Sequence, residues 1–397
     1  MPHPRFFAES PESVEIDPEK LDAVFDRAAR EVREGLLPSA QIAVARNGRL
    51  AGMRSFGSAT FLGVEAPVTN DTLYCVFSTT KALTSAAAWL LMQEGKLRSD
   101  ELVADIVPEF ATHGKDVITV EQLLTHTAGF PAAPYPPAAF GDREKRMAVF
   151  AKWRLNFEPG SQFIYHPSSS MYVVAEIIER RSGIAYRDFI RERIALPLDL
   201  PDLWVGLPRE HHGRLADIVH VGEALTAADY ERMGVPAPPE TEVTEEAIQH
   251  FNLPEVREAG IPGGGATTTA GDLALFYQAL LNGGRSIDGD EIWKPETIAM
   301  ATEIRTGDLT DMLFGKAANR SLGLMIAGDA DRNYRGFGHT NSPLAFGHGG
   351  AGGQIAWADP ATGISLGYCT NGFDRDAMRQ ARRGIGISSR AAACALA

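Results

Sequence analysis

Ser78-Thr79-Thr80-Lys81 is flanked by two segments of opposite character. Before it, Thr72-Leu73-Tyr74-Cys75-Val76-Phe77 is apolar and β-prone. After it, Ala82 to Gln93 reads as a helix that stops near Gly95. A strand must therefore run straight into a helix, with Ser78 at the helix start. Residues three apart share a helix face, so the Lys81 amine falls beside the Ser78 hydroxyl. A serine hydroxyl is a weak nucleophile until a neighbouring base takes its proton. A helix start also offers free N–H groups and partial positive charge where an oxyanion would develop. The plainer alternative is that Ser78 is only an N-cap.

The rest of the chain frames this junction. Asp17 to Glu34 has Leu21, Val24, Phe25, Ala28 and Val32 at helical spacing. Ser39 to Ala45 and Arg49 to Ser55 read as strands joined by a turn at Asn47-Gly48. Val120 to Leu124 predicts a short helix, Pro131 to Phe140 an apolar loop carrying Tyr135. Met171 to Ser182, ending at Gly183, and Tyr186 to Ile194 predict further helices. From Pro201 to Gly260 the pattern weakens and Glu240, Glu242, Glu245 and Glu246 gather, as on a solvated face. A helix opens at Gly271-Asp272 and ends at Asn282-Gly283-Gly284. Strands follow near Leu344–His348, Gln354–Ala358 and Ile364–Cys369, then a helix from about Asp374. This order predicts an α+β fold. Its antiparallel sheet, flanked by helices, is built from both chain ends, with a mainly helical subdomain inserted. The expected division is 1–85 with 258–397 as the body, and 86–257 as the helical subdomain with cleft-lining loops.

The 397 residues carry a formal charge of −13, which argues against nucleic acid or an anionic membrane surface as partner. No apolar stretch of about 18 residues exists to span a membrane. The N-terminus lacks the apolar core and cleavage site of a signal peptide, so cytoplasmic residence is the expectation. Cys75, Cys369 and Cys394 have no metal-like spacing. The first two read as small core residues and Cys394 as a tail thiol.

Two further features carry chemistry. Tyr165, in Phe163-Ile164-Tyr165-His166-Pro167, precedes a helix and can project from a loop. A tyrosine pressed against an ammonium can accept a proton, because the cation favours the phenolate. Gly347-His348-Gly349-Gly350-Ala351-Gly352-Gly353 permits close backbone approach at a strand edge lining a site. Taken alone, these would be a packed tyrosine and a turn.

Together these pieces resemble the serine hydrolases of the class C β-lactamase and penicillin-binding-protein fold, most closely the family VIII carboxylesterases. The resemblance runs from about residue 17 to 375. It rests on Phe77-Ser78-Thr79-Thr80-Lys81, on Leu123-Leu124-Thr125-His126-Thr127-Ala128-Gly129-Phe130, and on Pro159-Gly160 followed by Tyr165. Gly263-Gly264-Gly265-Ala266-Thr267-Thr268 and His348-Gly349-Gly350 complete it, the last where β-lactamases carry Lys-Thr-Gly. The resemblance implies acyl transfer through Ser78, with Lys81 and Tyr165 as general base and acid. It also implies an oxyanion hole from the backbone N–H groups of Ser78 and Ala351. Substrate would lie along His348, Gly349 and Gly350, with Tyr135 in the apolar wall. No metal or organic cofactor is required.

Two departures bear on the substrate. His348 replaces the lysine that helps hold a substrate carboxylate, and Pro167 replaces the asparagine of Tyr-x-Asn. Both weaken the case for β-lactams or D-amino-acid peptides and favour a small uncharged ester, of short or bulky acyl or alcohol groups. A β-lactam hydrolase, a D-amino-acid peptidase or amidase, and a non-catalytic ligand binder are the alternatives. Intact Ser78, Lys81 and Tyr165 argue against the binder. One rival motif, Gly363-Ile364-Ser365-Leu366-Gly367, matches the nucleophile elbow of α/β-hydrolases. That fold places its histidine after the serine, whereas the last histidine here is His348. Ser365 therefore reads as a strand residue.

Overall fold

A computed structural model describes residues 2–136, 139, 141–234 and 243–396. Pro137, Ala138 and Phe140 of the apolar loop, and Glu240 and Glu242 of the acidic stretch, lie outside the described residues.

The central sheet has seven strands, and every neighbouring pair is antiparallel. In spatial order they are Met325–Ile326, Phe346–Gly350, Gln354–Asp359, Ile364–Thr370, Ser39–Arg46, Arg49–Phe61 and Val64–Pro67. The first hairpin turns at Asn47 and Gly48, with φ of 54° and 76°. An Asn-Gly pair tolerates two successive positive φ values, and such a turn matches the twist of its strands. The second strand runs on to Phe61, past the predicted end at Ser55.

Ser39–Arg46 is buried almost throughout because both faces of the sheet are covered. Alternate side chains feed opposite cores, as the two-residue period of a strand requires. Ala43 and Ala45 join the larger core; Ala40, Ile42 and Val44 join the smaller. The helices Pro18–Arg33 and Ala377–Ala392 cover the smaller core. Asp17 and Asp376 cap them by accepting backbone N–H bonds at 3.0 and 2.9 Å. Ala270–Leu281 lies on the other face.

The larger core holds side chains from the predicted body and from the helical region alike. Thr80–Gln93 runs unbroken across the expected boundary at residue 85. Trp89 donates its indole N–H to Leu322 O at 2.9 Å, and Trp293 donates to Ala86 O at 3.1 Å. Both bonds tie the nucleophile helix to the predicted body, while its buried side chains share the larger core with those of the helix Ser169–Ser182.

Cys75 and Cys369 are buried as expected. Cys394 is not the tail thiol its position suggested: it too is buried, and its thiol contacts Arg390 O at 3.2 Å. The last residues pair back onto the N-terminal segment. Asp17 N donates to Cys394 O at 2.8 Å, and Leu396 N to Glu15 O at 2.9 Å.

Candidate active site

The chain reaches the nucleophile through a bend, not a smooth strand-to-helix run. Only Tyr74–Cys75 forms a strand, paired with Ala266–Thr268. Phe77 then takes φ of 44°, a left-handed conformation that is costly for a bulky residue and typical of functional turns. Phe251 and Phe373 hold its ring, with centroids 5.2 and 6.2 Å away. Ser78 follows in a 3₁₀ turn, Phe77–Thr79, and the α-helix begins at Thr80. Ser78 is therefore presented just before the helix, half-exposed, while Lys81 is fully buried.

Lys81 Nζ lies 3.2 Å from Ser78 Oγ, 2.7 Å from Pro167 O and 2.9 Å from Gly263 O. An ammonium has three donors and here finds three acceptors. The backbone of two other segments thus fixes the amine beside the hydroxyl. Lys81 Nζ also lies 5.0 Å from the centre of the Tyr165 ring.

Tyr165 sits in the loop before the helix Ser169–Ser182, as expected. The loop is fastened to the His126 turn. Ile164 N donates to His126 O at 3.3 Å, and His166 N donates to His126 Nδ1 at 3.2 Å. His166 Nε2 accepts from Phe130 N at 3.1 Å, and its Nδ1 lies 2.7 Å from Ile164 O. The His126 ring packs 4.5 Å from that of Tyr165. Among the described residues, buried Tyr165 Oη has no hydrogen-bond partner. A buried hydroxyl without a partner is costly, which is how a group reserved for a ligand or a reacting atom looks.

The His348 strand, Phe346–Gly350, forms the opposite wall. Thr79 Oγ1 donates to His348 O at 3.1 Å, tying the strand to the nucleophile turn. A Cβ on Gly350 would lie 2.3 Å from Val76 O, so this approach needs glycine. Ala351 opens the next turn, Ala351–Gly353, and packs with Phe77 and Ile248. His348 is buried, its Nδ1 lies 2.6 Å from Gly349 O, and its Nε2 has no partner among the described residues. Burial, with Arg320 and Lys81 near it, holds its pKa well below 6.5, so the ring is neutral. The sequence left two roles open for His348; the neutral ring is no substitute cation.

The Tyr135 ring stacks on Tyr172 at 3.5 Å, beside Phe150 and Trp153, and its hydroxyl donates to Ala139 O at 3.2 Å. These contacts place it in the aromatic packing of the helical region.

Sequence reasoning passed over three residues at the site. His126 was visible only as part of a structural loop, and Phe251 lay in a stretch without clear periodicity. Arg320, whose guanidinium carbon is 5.5 Å from the Tyr165 ring centre, belongs to no motif. Ser365, by contrast, behaves as a strand residue. Its Oγ donates to Ala274 O at 2.8 Å and accepts from Gln278 Nε2 at 3.0 Å.

A buried lysine on a serine, facing a tyrosine across an antiparallel-sheet edge, defines the class: a hydrolase of the serine β-lactamase superfamily. The chain belongs to the Beta-lactamase family, which matches residues 25–387. It is 27% identical over 402 residues to an Escherichia coli K12 protein provisionally named a D-alanyl-D-alanine carboxypeptidase, covering 93% of this chain and 86% of that one. Among solved structures, a penicillin-binding protein homolog from Caulobacter crescentus is 31% identical. Its TM-score is 0.76, over 95% of this chain and 98% of the other. A family VIII carboxylesterase is 27% identical with a TM-score of 0.77 over the same shares. Among the described residues no helix is long and apolar enough to cross a membrane, and no cluster of potential metal ligands occurs.

Proposed function

We propose that this protein hydrolyses small carboxylic esters through an acyl-enzyme on Ser78. The observation that carries this reading is the Lys81 amine held 3.2 Å from Ser78 Oγ by two backbone carbonyls. Lys81 Nζ, 3.2 Å from Oγ, and Tyr165, whose ring centre is 5.0 Å from that amine, together form the basic site for the Ser78 proton. As Oγ attacks the ester carbonyl, its proton passes to that site and the oxyanion meets the N–H groups of Ser78 and Ala351. The carbonyl re-forms, the alkoxide leaves, and it takes the proton back. Water then attacks the acyl-enzyme with the same base, which returns its proton to Ser78 as the acid departs.

Neutral His348 favours an ester over a β-lactam or a peptide. Its ring carries no positive charge to attract a substrate carboxylate where a lysine would. The carboxylesterase neighbour supports the same reading. The test compares kcat/KM on p-nitrophenyl butyrate with that on nitrocefin, for the natural protein and for Ser78→Ala. The ester should be turned over far faster, and Ser78→Ala should lose both activities while melting at the same temperature. Equal efficiency on nitrocefin would replace the esterase with a β-lactam hydrolase on the same nucleophile.

A further inference from the structure

We propose that Arg320 is a positioning residue that acts on the reaction through Tyr165, as the fixed positive charge that His348 does not supply. This rests on the role given to Tyr165 above. Arg320 is only 7% exposed. Its guanidinium carbon lies 5.1 Å from the Phe163 ring centre and 5.5 Å from that of Tyr165. Its Nε has no hydrogen-bond partner, and among the described residues no carboxylate forms an ion pair with it. A buried guanidinium that makes no direct ion pair is expensive, and Asp311 acts on it only at longer range.

The segment that carries Arg320 is built to hold it still. Arg320 N donates to Thr306 Oγ1 at 3.0 Å, and Leu322 O receives the Trp89 indole from the nucleophile helix. Gly323, at φ of 92°, passes so close to that helix that a Cβ would collide with the Ser85 side chain. Ser85 is one turn beyond Lys81 on the same helix.

The charged and titratable groups around Tyr165 and Arg320 are Lys81 on the nucleophile helix, His126 and His166 on the adjoining loops, His348 on the sheet edge, Asp311, which bridges to Phe163, and Arg335 farther along the chain. Burial keeps His126 and His348 neutral at pH 7. The cations facing the Tyr165 ring are therefore Lys81 and Arg320. Lys81 gives up its charge whenever it acts as the amine; Arg320 keeps its own throughout. It can therefore favour the form of the pair in which Tyr165 Oη is without its proton. A guanidinium covered by two aromatic rings is poorly placed to present its donors to an entering carboxylate, which favours this role over a substrate anchor.

The test uses the full-length protein with Arg320→Gln, Arg320→Lys, Tyr165→Phe and the Arg320→Gln/Tyr165→Phe double variant. The substrates are p-nitrophenyl butyrate and the mono-p-nitrophenyl ester of succinic acid. Arg320→Gln should lower kcat on the neutral ester about tenfold at pH 7, with KM nearly unchanged. The rising limb of its kcat/KM profile should move up by about one pH unit, the low end of what an opposite charge at this range produces. Arg320→Lys should restore most of both. In the Tyr165→Phe background the Arg320 change should add nothing.

A rise in KM confined to the succinate ester, with the butyrate profile unmoved, would make Arg320 a carboxylate anchor and overturn the proposal. So would a pH-independent loss that follows a fall in melting temperature. Full activity in Arg320→Gln with an inactive Tyr165→Phe would sink the role of Arg320 alone. Full activity in Tyr165→Phe would remove the reading on which it rests.

Discussion

At the scale of the residue, the site is a problem in holding charge out of water. Lys81 is buried, and three acceptors compensate its ammonium; removing any one leaves the others to hold it in place. Tyr165 is held by its neighbours' backbones, while its own hydroxyl has no partner among the described residues. Lys81→Ala and Tyr165→Phe should each lower kcat by at least about 10²-fold, the usual loss for a positioned general base, with little change in KM. Because the two act as a unit, the double variant should be little worse than the worse single one. Multiplying losses in steady-state assays would mean two separate proton paths. Ser365→Ala should keep most activity, since its two hydrogen bonds serve only the sheet–helix contact. Its cost should be about 1 kcal/mol per bond in denaturant melts.

At the scale of the element, the decisive contact is between the nucleophile turn and the His348 strand. If the oxyanion is held by the N–H groups of Ser78 and Ala351, as proposed, two chain segments must converge on one oxygen, so their spacing matters more than any side chain on them. Gly350→Ala would drive a methyl into Val76 O. The strand must retreat, and Thr79 loses its bond to His348 O. The expected result is a drop in kcat of ten- to a hundredfold, consistent with a weakened oxyanion contact, with Lys81 and Tyr165 intact. A Gly350→Ala protein with unaltered kcat would show that the oxyanion is held elsewhere. The strands Gln354–Asp359 and Ile364–Thr370 match expectation to within a residue, whereas the helices Arg143–Lys152 and Pro295–Thr302 were not anticipated. Pro18–Arg33, Val120–Leu124 and Ala270–Leu281 match their periodicity and caps to within a residue or so. The strand expected over Leu344–His348 instead covers Phe346–Gly350, because glycines have no pattern of burial to read.

At the scale of the whole molecule, three buried neutral histidines set the acid limit. His126 and His348 are held well below 6.5 by burial, and His166 is lowered to about 4 by the same cause. The unfolded chain protonates each near pH 6.5, while the folded chain does not. Unfolded protein therefore binds more protons, and stability falls as pH drops below about 6.5. Each histidine contributes up to about 1.4 kcal/mol per pH unit until its folded pKa is reached. Melting temperature should decline from pH 6.5 to 4.5, and His166→Gln should flatten the slope; an unchanged slope would show that other groups govern acid unfolding. All three cysteines are buried, Cys394 by closure of the termini onto each other, and burial raises the Cys75 and Cys394 thiols to about 12. A thiol reagent such as DTNB should find no rapidly reacting cysteine in the folded protein and three after unfolding. Rapid reaction at one site would identify Cys394 and show that the C-terminal closure opens.

The family, the sheet built from both chain ends and the Ser78–Lys81 pair were legible in the linear sequence, because each depends on residues close together or on a repeating pattern. A serine and a lysine one turn apart must meet if the helix forms, whatever surrounds them. Tyr165 could be named from its motif, but its place against Lys81 depends on the His126 turn and on Pro167 O reaching the amine. The fate of Tyr135 was decided by Tyr172, with which it stacks. Cys394 was decided by Ile16 and Asp17, nearly the whole chain away. Arg320 carried no local signal at all. Its meaning comes from which rings cover it and from its lack of a direct ion pair among the described residues, and only the tertiary structure settles both, since burial and charge balance are properties of neighbours in space.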